Sequence, residues 1–488
     1  MQQGESAFRK RVNLFDGVMF VSGSMIGSGI FIVSADIARN VGSPGWLMVV
    51  WLITGLITVI GALSYGELAA MMPNVGGQYV FLKEAYHPLV GFLFGWTTFL
   101  VIQCGSIAAV AVGFAKFTGV LIPWISEKNI LFSLGPLHVN STQIVAMASI
   151  LFLTWINTRG IVTGKTVQNI FSSTKVIVLL GFIILGLLVS RGAGAWDINR
   201  EIFWKAARVD EAGQLIPISG FILVAAVGMA LVGSLFASDA WYNITFISGE
   251  VINPKKVVPL SLLFGTLIVS VLYLLANFIY IKFLPVTGTP GGATVIERGI
   301  QFATDDRVAT SAMSVVVGDY AAIIMAVFIM ISTFGCNNGL IISGARVYYA
   351  MARDGLFFRK IGQLNSKGVP GLSITVQGIW SILLCLSGTY SNLLDYVIFA
   401  VLLFFALTIL AIFVLRKKQP DIPRPYKAFG YPVIPSLYII TTTAIMIILL
   451  IFKPLYTFPG LGIVLLGIPV FFIWDHNRRK NGISLIKE

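Results

Sequence analysis

Two stretches of this sequence place polar residues where a lipid-facing helix has no use for them. The first, "VSGSMIGSGIFIVS" from Val21 to Ser34, sets three glycines and four serines inside an apolar segment of bilayer-spanning length. The second, "LVGSLFASDAWYNITFISGE" from Leu231 to Glu250, is punctuated by Gly233, Ser234, Ser238, Asp239 and Asn243. Gly weakens a helix interior by roughly 1 kcal/mol relative to Ala, and backbone groups left unpaired in lipid are costlier still. A helix that opens at such a point frees N–H groups at a positive dipole end and carbonyls at a negative one. The opening at Gly27 to Gly29, with the Ser28 hydroxyl, brings several donors to a carboxylate. An opening near Phe236 to Asp239 offers carbonyls to an ammonium. A zwitterion with both groups side by side, an amino acid, fits such a pair. The same glycines and serines also suit tight helix packing, and Asp239 also suits the cap of a restarted half-helix. Two interruptions at matched places, one of them holding an acid, favour the binding site.

Lys175, in "NIFSSTKVIVLLGF", is the other charged group inside an apolar segment, about 12 Å along its helix from the start. A buried ammonium usually faces a cavity or a partner, although a lysine stem can also reach back to the interface. Tyr273, taken alone, reads as a packed tyrosine. Enzyme chemistry finds few parts: His87, His138 and His476 are scattered without metal-ligand spacing, and neither a P-loop nor a GxSxG elbow is present. No cofactor and no metal are expected, and the protein is not expected to be an enzyme.

The elements that hold these groups are membrane helices. Of 488 residues, 57% are hydrophobic and 11% charged, against about 25% charged in soluble domains. Twelve apolar runs of spanning length follow one another, at about 15–40, 44–72, 89–118, 141–157, 167–190, 217–248, 258–284, 312–350, 371–389, 392–415, 431–452 and 456–475. The run behind Arg9, Lys10 and Arg11 is too long for a signal peptide and reads as the first span. The segments at about 191–216 and 285–311 are the longest loops, both on the outer side. The net charge of +13 could suggest nucleic acid, but Lys and Arg lie about two to one on the side of the N-terminus. Membrane topology explains that bias, with both termini cytoplasmic, and nucleic acid is not expected as a partner. The interruptions fall in spans 1 and 6, the starts of two five-span blocks, which is the pattern of an inverted-repeat transporter.

Several motifs resemble one family. "GSMIGSGIF" is similar to the span 1 glycine motif of the amino acid-polyamine-organocation transporters, and "GALSYGELAAMMPNVGGQYVFLKEAY" to their span 2 to 3 signature. "LFASDAWYNITFISGEVINPKKVVP" resembles span 6 of the L-type amino acid transporters and their bacterial relatives, with "GARVYYAMARDG" and "RPYKAFGYPVIP" agreeing further along. The resemblance implies an all-α integral membrane fold of twelve transmembrane helices. In that fold a LeuT-like 5+5 inverted repeat has helices 1 and 6 unwound, and two C-terminal helices are appended. The first repeat would occupy residues 1–190, the second 191–415, and the last two helices with the tail 416–488.

By position, the resemblance assigns Met25, Ile26, Gly27, Ser28 and Gly29 to the substrate carboxylate. Phe236 becomes an aromatic gate, and the carbonyls of Phe236, Ala237 and Asp239 the ammonium site. Lys175 matches a lysine that takes the place of sodium in related sodium-coupled carriers, and Tyr273 a tyrosine linked to it. The implied function is sodium-independent exchange of neutral L-amino acids across the plasma membrane. Proton-coupled symport and exchange of cationic amino acids or polyamines are the alternatives on the same fold. Ser238, Asp239 and Ala240 depart from the L-type pattern of a bulkier residue followed by glycines, and Tyr242 from a common asparagine. These positions bear on substrate choice, and some relatives that accept cationic amino acids carry an acid at the position of Asp239. Cys104, Cys336 and Cys385 all fall within spans, which supports no disulfide framework, and the outer loop between spans 3 and 4 lacks the cysteine by which animal relatives join a glycoprotein subunit, so the resemblance implies no disulfide-linked heavy subunit.

Overall fold

The computed structural model describes residues 8–134, 137–189, 194–210, 214–386 and 390–480. Its helices are α1 (Leu14–Met25), α2 (Gly29–Ile32), α3 (Ser34–Val41), α4 (Pro44–Met71), α5 (Gln78–Ala85), α6 (Pro88–Thr97) and α7 (Gln103–Leu121). They continue as α8 (Ser141–Thr158), α9 (Ile161–Val189), α10 (Ala195–Glu201), α11 (Gly220–Ala237), α12 (Pro254–Phe283), α13 (Val295–Arg298) and α14 (Val308–Val317). The last five are α15 (Ala321–Arg353), α16 (Gly371–Cys385), α17 (Tyr390–Lys418), α18 (Val433–Phe452) and α19 (Pro454–Lys480).

Local sequence sets many of the starts. Asn13 with Asp16 and Asn140 with Gln143 form capping boxes at α1 and α8. Pro44, Pro88 and Pro254 occupy first-turn positions where a missing N–H removes nothing.

Among the described residues ten helices are long and apolar enough to cross a membrane. Two further expected spans coincide with shorter apolar helices, α1 and α16. α1 is short because its span breaks after Met25. α16 ends at Cys385, ahead of the expected limit at 389, and residues 387–389 lie outside the described set. Leu52 and Leu56 on α4, Ile177 and Ile184 on α9, and Ile440, Ile447 and Ile451 on α18 are exposed, an apolar girdle that only lipid would cover.

The expectation of helices alone needs one correction. Two small antiparallel hairpins occur outside the spans, Ile130–Leu134 with Leu137–Asn140 and Ala207–Val209 with Leu215–Pro217. Extramembrane backbone pairs with itself wherever a loop doubles back, and the segment expected as a loop at 191–216 also carries α10.

At the centre, α1 packs on α9, α12 and α15, while α12 lies along α4 and α15 along α7. This arrangement surrounds the first break with helices on every side. α11 packs on α3, α4, α17 and α18, so the second break faces a different set of neighbours.

Candidate functional site

α1 stops at Met25, and Ile26 leaves the helical region at φ −74°, ψ 92°. The chain restarts at Gly29 and continues through Val33, itself helical in backbone, into α3. Side chains from two other helices take the carbonyls that this break exposes. Lys175 Nζ donates to the carbonyl of Gly23, to Ile26 O at 2.8 Å and to Ser332 O at 3.1 Å. Ser332 Oγ donates to Ile26 O at 3.0 Å and Gly27 O at 3.1 Å. One turn along α15, Cys336 Sγ donates to Ser24 O at 2.9 Å and lies beside Gly27. A single ammonium thus ties α1, α9 and α15 together. α9 begins at Ile161, earlier than its expected start at 167, so Lys175 sits about 21 Å along the helix rather than about 12 Å. Its side chain is 3% exposed and turns inward instead of reaching for the interface.

The second break is built differently. α11 ends at Ala237, and Ser238 N–H folds back to Ser234 O at 3.0 Å while Asp239 N–H reaches Phe236 O at 3.1 Å. Ala240 is left-handed at φ 67°, a conformation that costs a residue with a Cβ about 1 kcal/mol or more. A 3-10 turn from Trp241 to Thr245 completes the passage.

The breaks touch. A Cβ on Gly29 would stand 2.6 Å from Ala237 Cβ and 2.9 Å from Ala237 Cα, so only glycine allows this approach. The Tyr273 hydroxyl, from α12, lies between Met25 O at 3.2 Å and Ala237 O at 3.1 Å and donates across the pair. Met25 to Gly29, Ala237, Lys175 and Tyr273 therefore form one connected unit, with Phe236 half-buried at its edge.

The side chains of Ser238, Asp239 and Tyr242 belong to another environment. Ser238 and Asp239 line a small cavity with Thr58, Trp241, Phe405 and Tyr438. The Tyr242 ring packs among Trp241, Phe246 and Phe405 at centroid distances of 5.7, 5.4 and 5.0 Å.

Access differs between the two faces. On the face away from the N-terminal segment, a cavity of about 700 Å³ descends between α2–α3, the end of α7, α11 and the loop at Asp305–Arg307. Its floor includes Val33 and Gly233, one turn from Phe236. Asp36, Arg39, Lys116 and Arg307 mix both charges along its walls.

The face of the N-terminal segment is sealed. Val12 forms a parallel bridge with Val251, and Arg11 N–H and Val12 N–H donate to Glu250 O at 2.8 and 3.0 Å. Beneath them Arg346 Nε meets Glu250 Oε1 at 2.8 Å with both side chains essentially unexposed. Lys165 and Asn169 hold Asp16 at 2.9 and 2.7 Å, and Tyr79 with Lys83 holds Asp354 at 2.6 and 3.0 Å. Among the described residues no group of three His, Cys, Asp or Glu is placed to hold a metal ion.

A helix bundle with broken central helices, one open vestibule and one sealed face is the geometry of a carrier, and comparison with known proteins agrees. A profile of the family described as amino acid permease matches residues 12–471. The chain belongs to the amino acid permease family.

This permease is 28% identical over 484 residues to the human "Large neutral amino acids transporter small subunit 2", covering 97% of the chain and 82% of that relative. It is 29% identical over 428 residues to the rabbit "b(0,+)-type amino acid transporter 1", covering 86% and 79%, and 26% identical over 483 residues to the human protein of that name, covering 96% and 89%.

Sequence reasoning did not find Ser332 and Cys336, which complete the first break, or Glu250 and Arg346, which seal the permease on one face. The first pair had a signal. Ser332, Gly335, Cys336, Gly339 and Ser343 form a small and polar stripe at helical spacing along an otherwise apolar span. The second pair had none, because 96 positions separate its members.

Proposed function

We propose that this permease is a sodium-independent secondary transporter that exchanges neutral L-amino acids by alternating access. The observation that carries the reading is the position of Lys175: a fixed ammonium spans the carbonyls of the first break and α15, where a carrier lacking it needs a mobile cation. The names of its relatives, with their neutral and b(0,+)-type amino acid substrates, support the substrate class.

In this reading the substrate carboxylate meets the N–H groups and hydroxyl of Gly27 to Gly29. The substrate ammonium meets the carbonyls of Phe236, Ala237 and Asp239, and Phe236 closes above. Twelve spans in a LeuT-like 5+5 arrangement, divided at 190 and 415, account for breaks at the first and sixth. Both termini lie in the cytoplasm beneath a multi-pass plasma-membrane protein, and the 700 Å³ vestibule opens outward. Burial of Cys104, Cys336 and Cys385 supports transport without a disulfide-linked heavy subunit, and the lack of enzyme motifs supports a role without catalysis or cofactor.

The test uses purified protein in proteoliposomes. Uptake of labelled neutral amino acid that requires unlabelled amino acid inside and ignores sodium is the expected result. Uptake driven into empty vesicles by a pH gradient replaces exchange with symport. Competition by lysine or polyamine, and not by leucine, replaces the substrate class.

A further inference from the structure

We propose that the strap of chain closing the N-terminal face is a docking surface for anionic phospholipid headgroups, and that lipid seated there holds this face shut. The closing role rests on the alternating-access reading; the lipid contact does not.

The strap is held by its backbone and leaves its charges outside. The Phe8 ring packs edge-on against Tyr349 of α15 at 5.1 Å, and the buried Val12 bridges Val251. Arg11 and Val12 donate their N–H groups to Glu250 O, Ile252 N–H donates to Val12 O at 2.8 Å, and Lys165 Nζ donates to Arg11 O at 3.0 Å. The side chains of Arg9, Lys10 and Arg11 are exposed and make no ion pair among the described residues. The two acids that reach the strap, Asp16 and Glu250, are taken by Lys165 and Arg346.

The positive surface continues beyond the strap. A Cβ built on Gly368 would stand 4.0 Å from Arg9 Cγ, and one built on Gly160 would stand 3.7 Å from Lys367 Cβ. Arg9, Lys367 and Arg159 thus follow one another past the end of α8, and all three are exposed. On the other side of the bridge to Val251, the first turn of α12 adds the exposed Lys255 and Lys256. Like charges crowded on one surface repel, and an anion from outside relieves them.

Their depth says what supplies that anion. The Arg159 guanidinium lies 4.4 Å from the centroid of the Trp155 ring, which is 54% exposed. An exposed tryptophan beside a cation at the end of a spanning helix marks the headgroup layer. Leu14 and Phe15, directly after the strap, and Val162, at the start of α9, are exposed as well. A soluble polyanion would meet the charges and leave this apolar surface bare. A phospholipid covers both, with phosphate on the cations and acyl chain on the leucine and phenylalanine.

Topology alone asks only for positive charge on this side of the bilayer. Here three of the charges ride on the segment whose hydrogen bonds make the seal, so opening must peel the strap from the headgroups as well as from Val251 and Glu250. The strap runs directly into α1, a helix of 12 residues that ends at the first break, and its position is therefore passed to the substrate clamp.

Hydrogen–deuterium exchange of the purified full-length protein in nanodiscs reads the seal. The amides of Arg11, Val12 and Ile252 should exchange about tenfold more slowly in discs containing phosphatidylglycerol at about one third of the lipid than in discs of phosphatidylcholine alone. The variant R9Q/K10Q/R11Q, changed only at exposed side chains, should exchange at one rate in both. Equal wild-type rates in the two discs overturn the proposal, and so does a lipid effect that the variant keeps. An oligonucleotide or inorganic phosphate that protects the strap equally well in phosphatidylcholine discs also overturns it, because the ligand is then a soluble anion.

The second arm follows exchange of labelled leucine in proteoliposomes. Phosphatidylglycerol at about one third of the lipid should slow the wild type by about threefold and the triple variant by less than about 1.5-fold. A wild-type rate indifferent to the lipid, with the amides still protected, overturns the closing role. Vesicles that carry no amino acid while phosphatidylglycerol protects the strap would refute the transport reading and leave the lipid surface standing.

Discussion

The two breaks solve one problem in opposite ways. At the first, every exposed carbonyl of Ile26 and Gly27 receives a donor from a neighbouring helix, and the charge involved is a lysine spent wholly on backbone. At the second, the N–H groups of Ser238 and Asp239 bond within their own segment, Tyr273 donates to Ala237 O, and Asp239 turns towards Trp241, Phe405 and Tyr438 with its Oδ1 unpartnered among the described residues. One break is held by a tethered cation; the other sets a carboxyl beside a small cavity. The difference teaches that matched positions in sequence need not have matched chemistry. The first break is tied to two neighbouring helices by side-chain donors.

Substitutions can sharpen that contrast. Lys175→Ala should be the most damaging, because the carbonyls of Gly23, Ile26 and Ser332 lose a common partner in lipid-screened surroundings. A loss of about 3 kcal/mol or more predicts exchange slowed at least about a hundredfold, read as initial uptake in proteoliposomes. Wild-type rates would remove the pin from the account.

Gly29→Ala comes next. The added methyl meets Ala237 Cβ and backbone, and overpacking of about 1–3 kcal/mol should slow exchange about tenfold or more. Gly181→Ala on α9 is its control, since the new Cβ meets no described atom within 4 Å; equal defects in the two variants would show that the seam between the breaks is not the constraint.

Tyr273→Phe removes only the hydroxyl that bridges Met25 and Ala237, worth about 1 kcal/mol, and should slow exchange about fivefold with a small change in thermal stability. Thr58→Val should have the smallest effect, less than about twofold in exchange rate, because Thr58 bonds its own helix at Thr54 O and only borders the cavity. A large defect there would mean that the cavity takes part in substrate binding.

Much of the fold was legible because lipid imposes a simple rule. Apolar runs of spanning length mark helices, and glycines with serines inside one mark a break. Breaks at Gly27 to Gly29 and near Phe236 to Asp239 were marked on that rule, Met25 and Ile26 followed from the family resemblance, and Lys175 stood out as a charge within an apolar run. The rule cannot say which way a side chain turns once the helix has opened. Asp239 and Ala237 are two residues apart, yet one borders the cavity at α17 while the other meets Gly29, because α11 ends at Ala237 and Ser238, at φ −101° and ψ 8°, carries the chain out of the helix between them. The early start of α9 was missed because Gly164 and Lys165 lie ahead of the expected limit at 167, although Lys165 pairs with Asp16 on α1. Partners so distant in sequence hide the polar start of a helix.

The seal on the N-terminal face has a thermodynamic consequence. Opening it would hydrate the ion pairs of Glu250 with Arg346, Asp16 with Lys165 and Asp354 with Lys83 together with the buried Val12 and Val251. Hydrating polar groups lowers heat capacity, whereas exposing apolar ones raises it. The two contributions oppose each other, so the switch between the two access states should carry a far smaller heat-capacity change than unfolding, and the two processes should separate on a calorimeter.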